Sequence, residues 1–131
     1  PDALPLWLLG LYWGVVATWW VGALLGVGLA AAARAGRRPK LTEADLRGDI
    51  VRLMAVAGAG AVVAGVFGYV ASLREWLFLP GPLYGLVPQA AHHRFMADAW
   101  THGASYLIGA AGGLALIVRT WNRRRSREEK D

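Results

Sequence analysis

Three apolar runs organise this chain. Residues 6–33, 53–73 and 103–118 contain no Asp, Glu, Lys, Arg or His. A helix needs about 20 residues to cross a hydrocarbon core. The first two runs suffice alone, and the third does so once Thr101 and His102 are included. The pattern predicts an all-α integral membrane protein with three transmembrane helices, at about 6–33, 50–73 and 101–119, in a single domain over residues 1–131.

Polar residues and prolines place the ends of these elements. Pro5 suits a first helical turn. Arg37-Arg38-Pro39-Lys40 interrupts the chain, because Pro39 has no N–H and restricts the residue before it. Thr42 then reads as an N-cap with Asp45 at the third position, and Leu41 can staple onto Leu46. Leu46, Ile50 and Leu53 extend an apolar stripe at helical spacing, predicting one helix from about Thr42 to Ser72.

Residues 74–88 are interrupted by Pro80, Pro82 and Pro88. They read as an outer loop whose Trp76, Phe78 and Tyr84 lie at the membrane surface. Pro88 opens the last helix, expected to run unbroken to about Arg124. At ~1.5 Å per residue that is roughly 55 Å, more than a ~30 Å core. The third helix should therefore extend beyond the outer membrane surface.

Charge supplies the orientation. Arg34, Arg37, Arg38, Lys40, Arg47 and Arg52 follow run one, and Arg119, Arg123, Arg124, Arg125, Arg127 and Lys130 follow run three. Only Arg74 and Arg94 lie between runs two and three. Short loops rich in Lys and Arg stay in the cytoplasm. The N-terminus, with Asp2 its one charge, should then be outside, with a basic cytoplasmic tail over residues 120–131. Run one is too long for a signal-peptide core, and its basic flank follows it instead of preceding it.

Composition agrees with a membrane location, read as a bacterial inner membrane: 56% of residues are hydrophobic and 18% charged. With no cysteine, disulfides, thiolate metal sites and Cys nucleophiles are excluded. The excess of basic residues flanks membrane spans, so it reads as topogenic charge and attraction to anionic lipid, not as a nucleic-acid surface.

Small residues recur every four positions on span one, at Gly10, Gly14, Thr18, Gly22, Gly26 and Ala30. Span two carries Ala57, Ala61 and Gly65, and beside them Gly60, Ala64, Gly68 and Ser72. Such ridges let helix backbones approach closely, and the expectation is antiparallel packing of spans one and two. Tyr12, Trp13, Trp19 and Trp20 form an aromatic stripe. Trp7 and Trp13 fit an outer aromatic belt, whereas Trp19 and Trp20 fall near mid-bilayer, where an indole N–H needs a partner.

The candidate chemistry lies at the outer end of the last helix. Arg94, Asp98, His102 and Tyr106 follow at four-residue spacing and face one another. This polar ladder reads first as ordinary pairing that keeps an outer helix soluble. His102 beside Gly103 and Ala104 also suits an axial ligand to a haem or chlorophyll-type pigment. A metal site would use Asp98 and His102 with His92, His93 or Met96, and needs convergence from elsewhere. Asp98, His102 and Ser105 are the residue types of a catalytic triad, but a continuous helix has no free amides for an oxyanion hole.

The spans hold no charged group of the kind that marks ion pathways, and no nucleotide or HxxxH-type metal fingerprint occurs. The functional expectation is a non-catalytic accessory or structural subunit. It would pack through Gly10, Gly14, Thr18, Gly22, Gly26, Ala57, Ala61, Gly65, Trp19 and Trp20 against other membrane subunits or copies of itself. Two readings compete: a homo-oligomeric channel or small-solute conduit, and a haem-, pigment- or metal-binding electron-transfer or light-harvesting component using His102.

Overall fold

The computed structural model describes residues 5–128, without the side chains of residues 6, 7 and 9–11. The readings made for Asp2, Trp7, Gly10 and Lys130 therefore lie outside the described residues. The described chain is all-helical: α1 Leu6–Arg34, α2 Glu43–Leu73, the single turn α3 Gly81–Tyr84, a 3-10 turn Gln89–Ala91, and α4 His92–Glu128. Three of these helices are long and apolar enough to cross a membrane.

The helix starts follow local chemistry. Pro5 stands at the N-cap of α1. Helix α2 begins at Glu43, which places Thr42 at its N-cap position, and Glu43 and Asp45 lie in the first turn, where acidic groups complement the helix dipole. Pro88 precedes the 3-10 turn that leads into α4. The loop between α2 and α4 is more ordered than its prolines suggest, because Pro82 sits in the first turn of α3, where its missing N–H costs nothing.

The chain divides into two compact units, Pro1–Thr42 with Leu114–Asp131, and Glu43–Gly113. In the second, α2 lies antiparallel to the N-terminal part of α4. Gly112 meets Leu53, Gly60 meets Ile108, Gly65 meets Thr101, and Gly68 meets Met96 and Trp100. Each advance along α2 matches a retreat along α4. Gly60, Gly68 and Ser72, three members of one predicted ridge, thus belong to this seam. Their partner is α4, whereas the ridge pattern led us to expect span one. Phe67 and Trp100 add an edge-to-face ring pair at 4.9 Å.

In the first unit, the end of α1, the linker and the last turns of α4 pack together. Ala32, Ala33, Leu41, Leu116, Thr120 and Arg124 are buried. Gly28 lies against Ile117, where an added Cβ would come within 2.9 Å of its Cδ1. Helix α1 closes with the Ala35 N–H donating to the Ala31 carbonyl, and Gly36, at φ +76°, turns the chain back. The Leu41 N–H then donates to the Ala33 carbonyl at 3.0 Å.

Candidate functional site

The predicted polar ladder is on α4, but it is loose. Asp98 Oδ1 and His102 Nδ1 are 3.8 Å apart on exposed side chains, beyond hydrogen-bond range. His102 and Tyr106 meet edge-on at 5.8 Å between ring centroids, and no ion pair joins Arg94 to Asp98. A shallow apolar groove of about 380 Å³ does lie beside Gly103 and Ala104, between Trp100, Leu107 and Ala64. His102 is not among its walls.

A more enclosed site, which sequence spacing did not reveal, forms where α2 ends and α4 begins. Ser72 Oγ, buried at the end of α2, hydrogen-bonds His93 Nδ1 at 2.9 Å. The His93 ring also meets Tyr69 edge-on at 6.3 Å. Neighbouring His92 bonds through Nε2 to the Val87 carbonyl at 2.8 Å. A carbonyl can only accept, so Nε2 carries the hydrogen, and in the neutral ring Nδ1 keeps a lone pair. Tyr84 packs edge-on against His92 at 4.9 Å. Ser72, Tyr84, His92 and His93, with Glu75 and Phe78, line a cavity of about 300 Å³.

The turn holding Glu75 explains how the cavity is shaped. Past Leu73 the Glu75 N–H donates to the Ser72 carbonyl and the Trp76 N–H to the Ala71 carbonyl, the paired bonds of a Schellman ending. This ending wants a left-handed residue, normally glycine, and Glu75 fills it at φ 58°.

No known family, curated protein or solved structure matches this chain. Among the described residues, no three His, Asp or Glu side chains are grouped closely enough to hold a metal ion.

At the basic end, Arg124 is fully buried. Its Nε donates to the Pro39 carbonyl at 2.8 Å, Nη1 to Ala32 at 2.8 Å, and Nη2 to Ala35 at 2.8 Å and Arg38 at 3.0 Å. The last turn of a helix presents carbonyls without internal donors and a partial negative charge, so this guanidinium serves as a C-cap delivered from another helix. Arg38 lies alongside, 4.9 Å from the Trp121 ring centroid, with its Nε 2.9 Å from Glu128 Oε2.

Helix α4 continues past Arg124, where the sequence pattern ended it, to Glu128, and Thr120 and Arg124 are inside. A sequence signal existed. Leu116, Thr120 and Arg124 recur at four-residue spacing, so the inward face of α4 extends through the arginine run.

Of the residues expected to make helix contacts, Gly65 is used within the chain. Nothing lies within 4 Å of a Cβ built on Gly14, Gly22 or Gly26. Thr18 donates its hydroxyl to the Gly14 carbonyl at 2.8 Å. Trp19 and Trp20 are exposed, and the Trp20 indole N–H finds the Ala17 carbonyl at 2.8 Å. Ala57 and Ala61 are half-buried.

Proposed function

We propose that this chain is a non-catalytic accessory or structural subunit of a membrane assembly, joined to its neighbours through α1. The observation that carries this reading is the open space over Gly14, Gly22 and Gly26. The chain's internal seams consume Gly28, Gly60, Gly65, Gly68 and Gly112, but among the described residues nothing lies within 4 Å of a Cβ built on Gly14, Gly22 or Gly26. The same helix exposes Tyr12, Trp13, Trp19 and Trp20. In a bilayer, small-residue ridges favour close helix association by dispersion and weak backbone contacts, and large aromatics beside them add contact area.

In this proposal both basic ends face the cytoplasm of a bacterial inner membrane, by the positive-inside rule. The bonds from Arg124 to the linker support a common side, since they bring members of the two basic clusters together.

The absence of cysteine makes the test clean. Single Cys substitutions at Gly14 and Gly22 should give oxidative crosslinks in native membranes. A product of twice the chain mass indicates a copy of itself, and any other defined mass a different subunit. The double variant Gly14→Leu/Gly22→Leu should release the complex to monomer mass in detergent. Unchanged mass and no crosslink at either position would sink the proposal.

A further inference from the structure

The geometry points to the cavity between Glu75, Tyr84 and His92 as a binding site for a small organic ammonium ion. This inference is independent of the assembly reading above. The cavity is built from three segments, the end of α2, the outer loop and the start of α4, and its ~300 Å³ is at the small end of ligand sites.

Its chemistry is that of an acceptor. No Lys or Arg is among the residues lining it, and Glu75 is the one carboxylate there. The bond from His92 Nε2 to Val87 turns the lone pair of that imidazole to Nδ1. Phe78 and Tyr84 supply aromatic rings, which attract cations at their faces. A carboxylate, a lone pair and two rings complement a positively charged, partly apolar ligand and disfavour an anion.

A metal ion fits less well, because no three ligating side chains converge among the described residues. Glu75 supplies a second, independent sign. It holds a left-handed backbone position that glycine fills without strain, and such strained residues cluster at ligand sites. Choosing Glu there places a carboxylate on the cavity at a cost in stability.

The test uses the full chain in detergent or nanodiscs, titrated with choline and tetramethylammonium while the His92 and His93 ring signals are followed by NMR. Saturable shifts are expected, weaker by roughly tenfold or more in Glu75→Gln, as for loss of a partly desolvated charge partner. Glu75→Gly should also lose binding while remaining folded, since it relieves the backbone. Dimethylbutanol, the uncharged carbon analogue of choline, should not compete. The inference is overturned if neither cation saturates, if the uncharged analogue binds as well as choline, or if zinc or phosphate moves these signals and choline does not.

Discussion

Ser72 Oγ and His93 Nδ1, 2.9 Å apart, close one end of a seam that starts at Leu53 and Gly112. Between these points the two helices meet at glycines, and the contact finishes in a hydrogen bond between two side chains. Ser72→Ala removes that bond and leaves the imidazole with its edge-on contact to Tyr69 but without its hydrogen bond to α2. We expect a loss of about 0.5–1.5 kcal/mol, nearer ~0.6 kcal/mol if the site behaves like other interhelical bonds in membranes. Denaturant titration in micelles, followed by Trp fluorescence, measures it.

Gly68 gives a sharper test of the seam, because its sign is diagnostic. Alanine is favoured over glycine in a helix by about 1 kcal/mol, so an open position would be stabilised by Gly68→Ala. Here a Cβ would lie 2.8 Å from the Met96 carbonyl oxygen and 2.8 Å from Trp100 Cβ. Backbone cannot move aside cheaply, and overpacking of this kind costs about 1–3 kcal/mol. Gly68→Ala should therefore destabilise, and Gly60→Ala, which meets only the movable end of Ile108, should cost less. A Gly68→Ala variant as stable as wild type would contradict the packing.

Arg124 should be the most sensitive basic residue in the chain. Arg124→Met leaves four carbonyls without their donor, at about 1–3 kcal/mol for each one that stays buried. Arg124→Lys keeps the charge but cannot form the planar fork, and should recover only part of the loss. The exposed neighbours Arg123→Met and Arg125→Met are the comparison. Thermal unfolding in detergent should rank Arg124→Met lowest; equal melting temperatures across the three would refute the capping role.

Glu75→Gly should stabilise. Glycine occupies the left-handed position without the cost of about 1–2 kcal/mol that a Cβ incurs there, offset by ~0.4–1 kcal/mol of extra freedom in the unfolded chain, for a net gain of about 0.5–1 kcal/mol. Glu75→Ala keeps a Cβ in the same strained position and should not share the gain. The same unfolding measurement compares both variants.

The three long helices were legible in the sequence because hydrocarbon length is a strong, one-dimensional constraint: uninterrupted apolar runs reveal it directly. The ridge Gly60–Ala64–Gly68–Ser72 was legible as a packing stripe, since small residues at four-residue spacing fall on one helix face. Its partner was not, because both α1 and α4 offer small residues and spacing alone does not choose between them. The pairing of His93 with Ser72 was hidden for a related reason: its two halves lie 21 residues apart, on either side of a loop with no periodicity. Arg124 was obscured by its neighbours. In a run of arginines, composition reads as membrane anchoring, and only the helical phase set by Leu116 and Thr120 separates the inward one from the rest.

The bond from Arg124 to the Ala32 carbonyl spans 92 residues, and that distance sets an order of events during synthesis. The unit containing α1 is made from the first and last stretches of the described chain, while the unit containing α2 is continuous between them. Domains tend to form as their residues emerge, and contacts distant in sequence form late. The α2–α4 seam can therefore assemble first, with the end of α1 still uncapped. Helix α1 is made before α2 and α4, yet it is capped only after they are in place.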